Sequence, residues 1–124
     1  MEGTHKNLIV WQESMALAKQ MHQLCSTFPP YETYALADQI RRSAVSIPSN
    51  IAEGYGRGTD KEITHFLHIS LGSANELDTQ VLLAQEFGYV SPDSYDLIQT
   101  KISSIIKMLR SLINKRSINE TSKS

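Results

Sequence analysis

The stretch Gln39-Ile40-Arg41-Arg42-Ser43-Ala44-Val45-Ser46-Ile47-Pro48-Ser49-Asn50-Ile51-Ala52-Glu53-Gly54 decides the fold. Ile40, Ala44, Ile47 and Ile51 recur every three or four residues, the period of an α-helix, and Leu36 starts the same row. The opposite face carries Gln39, Arg42, Ser43, Ser46, Asn50, Glu53 and Arg57. A narrow apolar stripe of this kind packs on one side only. Pro48 removes one backbone donor and crowds the Ala44 carbonyl, so a kink is expected there. Glycines at 54, 56 and 58 then close the helix and make a turn. The expected span is Tyr31 to Arg57.

Three more helices follow from the flanking sequence. Upstream, from about Ile9 to Phe28, Val10, Leu17, Met21, Leu24 and Phe28 form one apolar row. Trp11, Met15, Ala18, His22 and Cys25 form a second beside it, and Pro29-Pro30 ends the helix. Downstream, Thr59 and Glu62 have the spacing of a capping box, and an apolar face runs from Ile63 to Ala84 before Gly88. Its middle is slim, with Ser70, Gly72, Ser73 and Ala74, which lets another helix approach closely. The last helix opens with Ser91 as cap, Pro92 in the first turn and Asp93 against the dipole. Tyr95, Ile98, Ile102, Ile105, Leu109 and Leu112 then keep a heptad seam. Short connections make successive helices antiparallel neighbours. The expected fold is all-α, an up-and-down four-helix bundle with a kinked second helix. Its expected organisation is an N-terminal arm over 1–7, the bundle over 8–115 and a disordered polar tail over 116–124.

Composition narrows the function classes. The chain has 124 residues and a net charge of −1, with 12 basic and 13 acidic side chains, so it has no global attraction to nucleic acid or anionic lipid. No stretch is long and apolar enough to span a membrane, and the N-terminus lacks the apolar region of a signal peptide. A cytoplasmic protein is expected. The single cysteine, Cys25, sits in an apolar pattern and reads as a buried thiol.

Chemistry-bearing motifs are weak. Glu53-Gly54-Tyr55-Gly56-Arg57-Gly58 lacks the lysine and hydroxyl of a phosphate loop and follows no strand. Glu62, His65 and His68 share a three-residue spacing but not that of a zinc motif. No serine has the setting of a nucleophile elbow. No enzyme activity, cofactor or metal is expected.

Two surfaces remain. The polar face of Gln39, Arg42, Ser43, Ser46, Asn50, Glu53 and Arg57 is either a partly exposed helix face or a polar network at a subunit interface, where each group must find a partner. On the second reading, loss of the Asn50 amide costs ~1–3 kcal/mol. Lys101, Lys107, Arg110, Lys115 and Arg116 stand with no acid between Gln99 and Asn119. Basic residues suit a helix C-terminus, and they are also a candidate contact for phosphates.

The Gln39–Gly54 stretch, followed by Arg57, resembles the signature of four-helix-bundle proteins encoded in intervening sequences of bacterial large-subunit ribosomal RNA genes. Leu8-Ile9-Val10-Trp11, Phe28-Pro29 with Glu32, Gly72-Ser73 with Glu76-Leu77, and Phe87-Gly88-Tyr89 extend the likeness over about Leu8 to Ile113. The resemblance implies a ring-like homo-oligomer, typically a pentamer. It also implies distant kinship with the accessory variability protein of diversity-generating retroelements, which looks like a basic pentamer that binds nucleic acid and a reverse transcriptase. The expected function is a non-enzymatic oligomeric scaffold associated with RNA or DNA, any nucleic-acid binding being weak and indifferent to sequence. The alternative is a protein-only module that recruits a partner enzyme.

Overall fold

The computed structural model describes residues 4–123. Four helices follow one another: α1 (Ile9–Cys25), α2 (Leu36–Arg57), α3 (Asp60–Glu86) and α4 (Pro92–Lys123). They stand around one core built from the predicted rows: Val10, Leu17 and Met21 of α1, Ile40, Ala44, Ile47 and Ile51 of α2, Leu67, Ala74, Leu77 and Val81 of α3, and Ile98, Ile102, Ile105 and Leu109 of α4. Among the described residues no strand occurs and no helix is long and apolar enough to cross a membrane.

Local chemistry explains most helix ends, and three of them differ from expectation. α1 stops at Cys25 rather than Phe28, because Ser26 and Thr27 turn their hydroxyls onto the Gln23 and Leu24 carbonyls at 2.6 and 2.7 Å. α2 begins at Leu36 rather than Tyr31. Pro30–Glu32 form a separate 3-10 turn, and the Glu32 carboxylate accepts the Leu36 N–H at 3.3 Å. Thr59 caps α3 by accepting the Glu62 N–H, and the Glu62 carboxylate accepts from the Thr59 hydroxyl rather than from the Thr59 backbone N–H that a capping box would use. Ser91 caps α4 as predicted, accepting the Ser94 N–H at 3.1 Å.

The expected disordered tail is a correction. α4 does not end at Lys115; it continues to Lys123. The reason lies in the seam. Arg116 stands seven residues after Leu109, so it takes the next inward heptad slot. Its guanidinium meets the Asp60 carboxylate at 2.8 Å and lies 5.2 Å over the Tyr55 ring. Arg116 therefore belongs to the helix and not to a tail. The N-terminal arm also has structure: His5–Asn7 form a 3-10 turn, and the His5 ring packs edge-on against Trp11 at 5.1 Å. Met1, Glu2 and Gly3 of that arm and Ser124 of the tail lie outside the described residues.

α2 and α3 form the tightest seam. α2 runs through Pro48 without interruption. Ser70, wholly buried, donates to the Ile47 carbonyl at 2.9 Å, and the Asn50 amide donates to the Ser46 carbonyl. Neither side chain takes the Ala44 carbonyl that Pro48 leaves without its helical donor. The close-packing glycine is Gly54: a Cβ there would stand 2.9 Å from the Phe66 Cβ and 3.3 Å from the Ile63 Cα. Gly72, expected to admit a neighbouring helix, has nothing within 4 Å of that position.

Cys25 is buried, and its thiol donates to the Ala37 carbonyl at 3.6 Å. Desolvation pushes its pKa up to about 11, an effect that the nearby Arg41 partly opposes. The thiolate, which is the reactive form, is therefore suppressed near neutrality. At pH 8 a disulfide reagent is expected to label the native chain far more slowly than the chain in denaturant; equal rates would mean an open site. Because the folded pKa lies above the unfolded one, this stabilisation is complete below about pH 9 and is lost as pH rises toward 11.

Candidate interaction surfaces

The seven polar residues of α2 split into two groups. Ser43 and Ser46 turn toward α3, Asn50 bonds back to Ser46 within α2, and all three are used inside the protomer. The Ser43 hydroxyl donates to the Glu76 carboxylate at 2.7 Å, Ser46 and Ser73 share a hydrogen bond at 2.8 Å, and the Asn50 amide donates to the Ser46 hydroxyl at 2.9 Å. Gln39, Arg42, Glu53 and Arg57 stay exposed. Arg42 pairs with Asp38 and Arg57 with Glu53, each at 2.9 Å and four residues apart, and Arg57 lies over the Phe66 ring. Pairs exposed to this degree contribute little, because solvent screens them. A polar network therefore exists, and it joins α2 to α3. Asn50 is only half-buried, so the cost of losing its amide falls to the low end of the expected range, about 1 kcal/mol.

The uncovered apolar surface lies on the other side of α2. Of the second row of α1, only Cys25 enters the core. Trp11, Met15 and Ala18 line an open trough of about 500 Å³ with Val45, Pro48 and Ala52 of α2, and His5, Lys19, His22 and Ser49 stand at its edges. Met15 is 46% exposed and Val45 54%. Val45 was not singled out in the sequence. Its signal was an apolar residue just off the α2 stripe, on the flank that faces α1.

The five basic residues of α4 do not form one patch. At about 3.6 residues per turn, Lys101 and Lys115 share a side, while Lys107 and Arg110 stand on another. Lys101 donates to the Gln20 side chain of α1 at 3.0 Å, and Arg116 is held by Asp60. Lys107, Arg110 and Lys115 are exposed. Glu62, His65 and His68 are likewise apart in role: Glu62 serves the α3 cap, and the His65 ring packs edge-on against Phe66.

Several of the family-like residues outside α2 make contacts between elements. Phe28 and Tyr89 rings lie 5.2 Å apart, the Tyr89 hydroxyl donates to Glu32 at 2.7 Å, and Ser73 and Glu76 are the α3 partners of α2. Over residues 6–111 the sequence matches the family model described as 23S rRNA-intervening sequence protein. The chain belongs to that family. The chain is also similar to a crystal structure of a protein of unknown function from the S23 ribosomal protein family of Bacteroides thetaiotaomicron VPI-5482. The likeness has a TM-score of 0.79 and 26% identity over 85% of this chain and 98% of the other. No curated protein matches the chain. The residues that make the chain recognisable are thus those that cap α2, brace the loops at one end and join α2 to α3. They mark the family through its architecture.

Proposed function

We propose that the protein is a non-enzymatic homo-oligomeric scaffold whose protomers meet through the α1–α2 trough. The observation behind this reading is the trough itself: a continuous apolar surface carrying a tryptophan and a methionine, left open by its own chain. Exposed apolar clefts on a protein surface are candidate interaction sites, and tryptophan is among the residues that anchor interfaces most often. A closed ring gives every copy of such a surface a partner, and the resemblance described above points to five subunits. The cytoplasm is the compartment proposed for it.

Between nucleic acid and protein as further partners, the geometry favours protein. Two of the five α4 cations are engaged within the fold, and the remaining three are divided between two sides of the helix. Any contact with RNA or DNA would be weak, indifferent to sequence and steeply reduced by salt.

Sedimentation analysis of the wild type beside Met15→Glu and Val45→Glu tests the scaffold reading. The wild type is expected to sediment as a discrete oligomer. Each variant is expected to sediment as a folded monomer, because the new charge lies in the trough and outside the core. A monomeric wild type at micromolar concentration, or oligomers unaffected by both charges, would overturn it.

A further inference from the structure

The two connections at one end of the bundle, taken with the helix ends that flank them as residues 26–35 and 86–96, are exceptional in composition. They hold six of the nine aromatic residues of the chain: Phe28, Tyr31, Tyr34, Phe87, Tyr89 and Tyr95. They also hold four carboxylates, Glu32, Glu86, Asp93 and Asp96, and no lysine, arginine or histidine. Folding joins these segments. Tyr89 packs on Phe28 and Phe87, shares a hydrogen bond with the Tyr31 hydroxyl at 3.0 Å and donates to Glu32.

Structural duty accounts for only part of this set. Phe28 is core, Glu32 holds the start of α2, and Tyr95 donates to Asp78 at 3.0 Å. Tyr31, Tyr34 and Phe87 remain 75%, 93% and 57% exposed. Glu86 sits in the last turn of α3, where the helix dipole favours a cation. Glu86, Asp93 and Asp96 are exposed and enter no ion pair among the described residues.

We propose that this end of the bundle docks a positively charged, arginine-bearing segment of a partner protein. Aromatic faces attract guanidinium groups, and exposed carboxylates without ion-pair partners at the same end of the bundle, Asp93 among them although it also complements the α4 dipole, complete the match. The same charge argues against RNA: bases can stack on exposed aromatics, but a binding platform needs cations for the backbone, and these segments have none. The surface shares no residue with the α1–α2 trough.

Fluorescence anisotropy on the full chain tests it, with labelled octa-arginine, octa-lysine and a short single-stranded RNA as probes at low and high salt. Octa-arginine is expected to bind at low salt, several-fold tighter than octa-lysine. Tyr31→Ala/Tyr34→Ala/Phe87→Ala is expected to weaken it at least about tenfold with an unchanged circular dichroism spectrum. Glu86→Gln/Asp93→Asn/Asp96→Asn is expected to flatten the salt dependence, and the Met15→Glu monomer is expected to bind equally well per chain. Three results would overturn the proposal: no peptide binding at low salt, an aromatic triple variant that binds like the wild type, or RNA binding that this variant abolishes.

Discussion

Replacing Gly54 is expected to destabilise the bundle, while the same change two residues on is expected to stabilise it. At Gly54 an added methyl meets the Phe66 Cβ at 2.9 Å and the Ile63 Cα at 3.3 Å. Both atoms are fixed by the α3 backbone and cannot rotate away, so α2 and α3 must move apart along a seam closed by Ser43–Glu76, Ser46–Ser73 and Ser70–Ile47 hydrogen bonds. Overpacking of this kind costs ~1–3 kcal/mol. Alanine recovers up to ~1 kcal/mol through helix propensity, leaving a net loss of ~1–2 kcal/mol for Gly54→Ala. Gly54→Leu adds bulk without further propensity gain and is expected to lose ~3 kcal/mol or more. At Gly56 the same methyl meets nothing within 4 Å, so only the propensity gain remains. Thermal unfolding followed by circular dichroism reads the difference at roughly 3–5 °C per kcal/mol for a chain of this size. If Gly54→Ala and Gly56→Ala shift the midpoint in the same direction, the close approach of α2 and α3 is wrong.

Arg116→Ala is expected to cost ~2 kcal/mol and to loosen the end of α4. Asp60 begins α3 with its side chain only 10% exposed, and Arg116 is 29% exposed. Removing the cation leaves a carboxylate sheltered from water without the partner that sits 2.8 Å away. Breaking a fully buried pair costs ~3–5 kcal/mol, and the partial exposure of Arg116 reduces that figure. The pair also ties the α4 extension to the turn between α2 and α3, through the ring of Tyr55. Arg116→Lys is expected to recover only part of the loss, because an ammonium group neither forks onto a carboxylate nor stacks as a guanidinium does. Calorimetry measures the stability, and limited trypsin digestion measures the helix end, where cleavage after Lys115 should accelerate in Arg116→Ala. A melting temperature within a degree or two of wild type, with an unchanged digestion rate, would show that Arg116 is an ordinary surface residue.

The sequence by itself determined the helices and the side of each that faces inward. Period, caps and prolines act within a few residues, so Ile40, Ile47 and Ile51, Ser91 with Pro92, and the Ile98–Leu109 seam were legible without any neighbour. The family signature was legible too, since it is a contiguous run along α2. Register between helices was decided only in three dimensions. The polar stripe of α2 could equally have faced another subunit, and it is the Ser43–Glu76 and Ser46–Ser73 pairing that turns part of it inward. Gly54 and Gly72 are indistinguishable as letters. One lies where two backbones cross and the other faces open space, a difference set by the height at which α2 passes α3. Arg116 looked like the first residue of a polar tail, because a charged side chain in a heptad slot is inward only when a carboxylate from a distant helix end waits there. Hydrophobic period is a property of one helix; pairing is a property of two, and it depends on distances the linear chain does not encode locally.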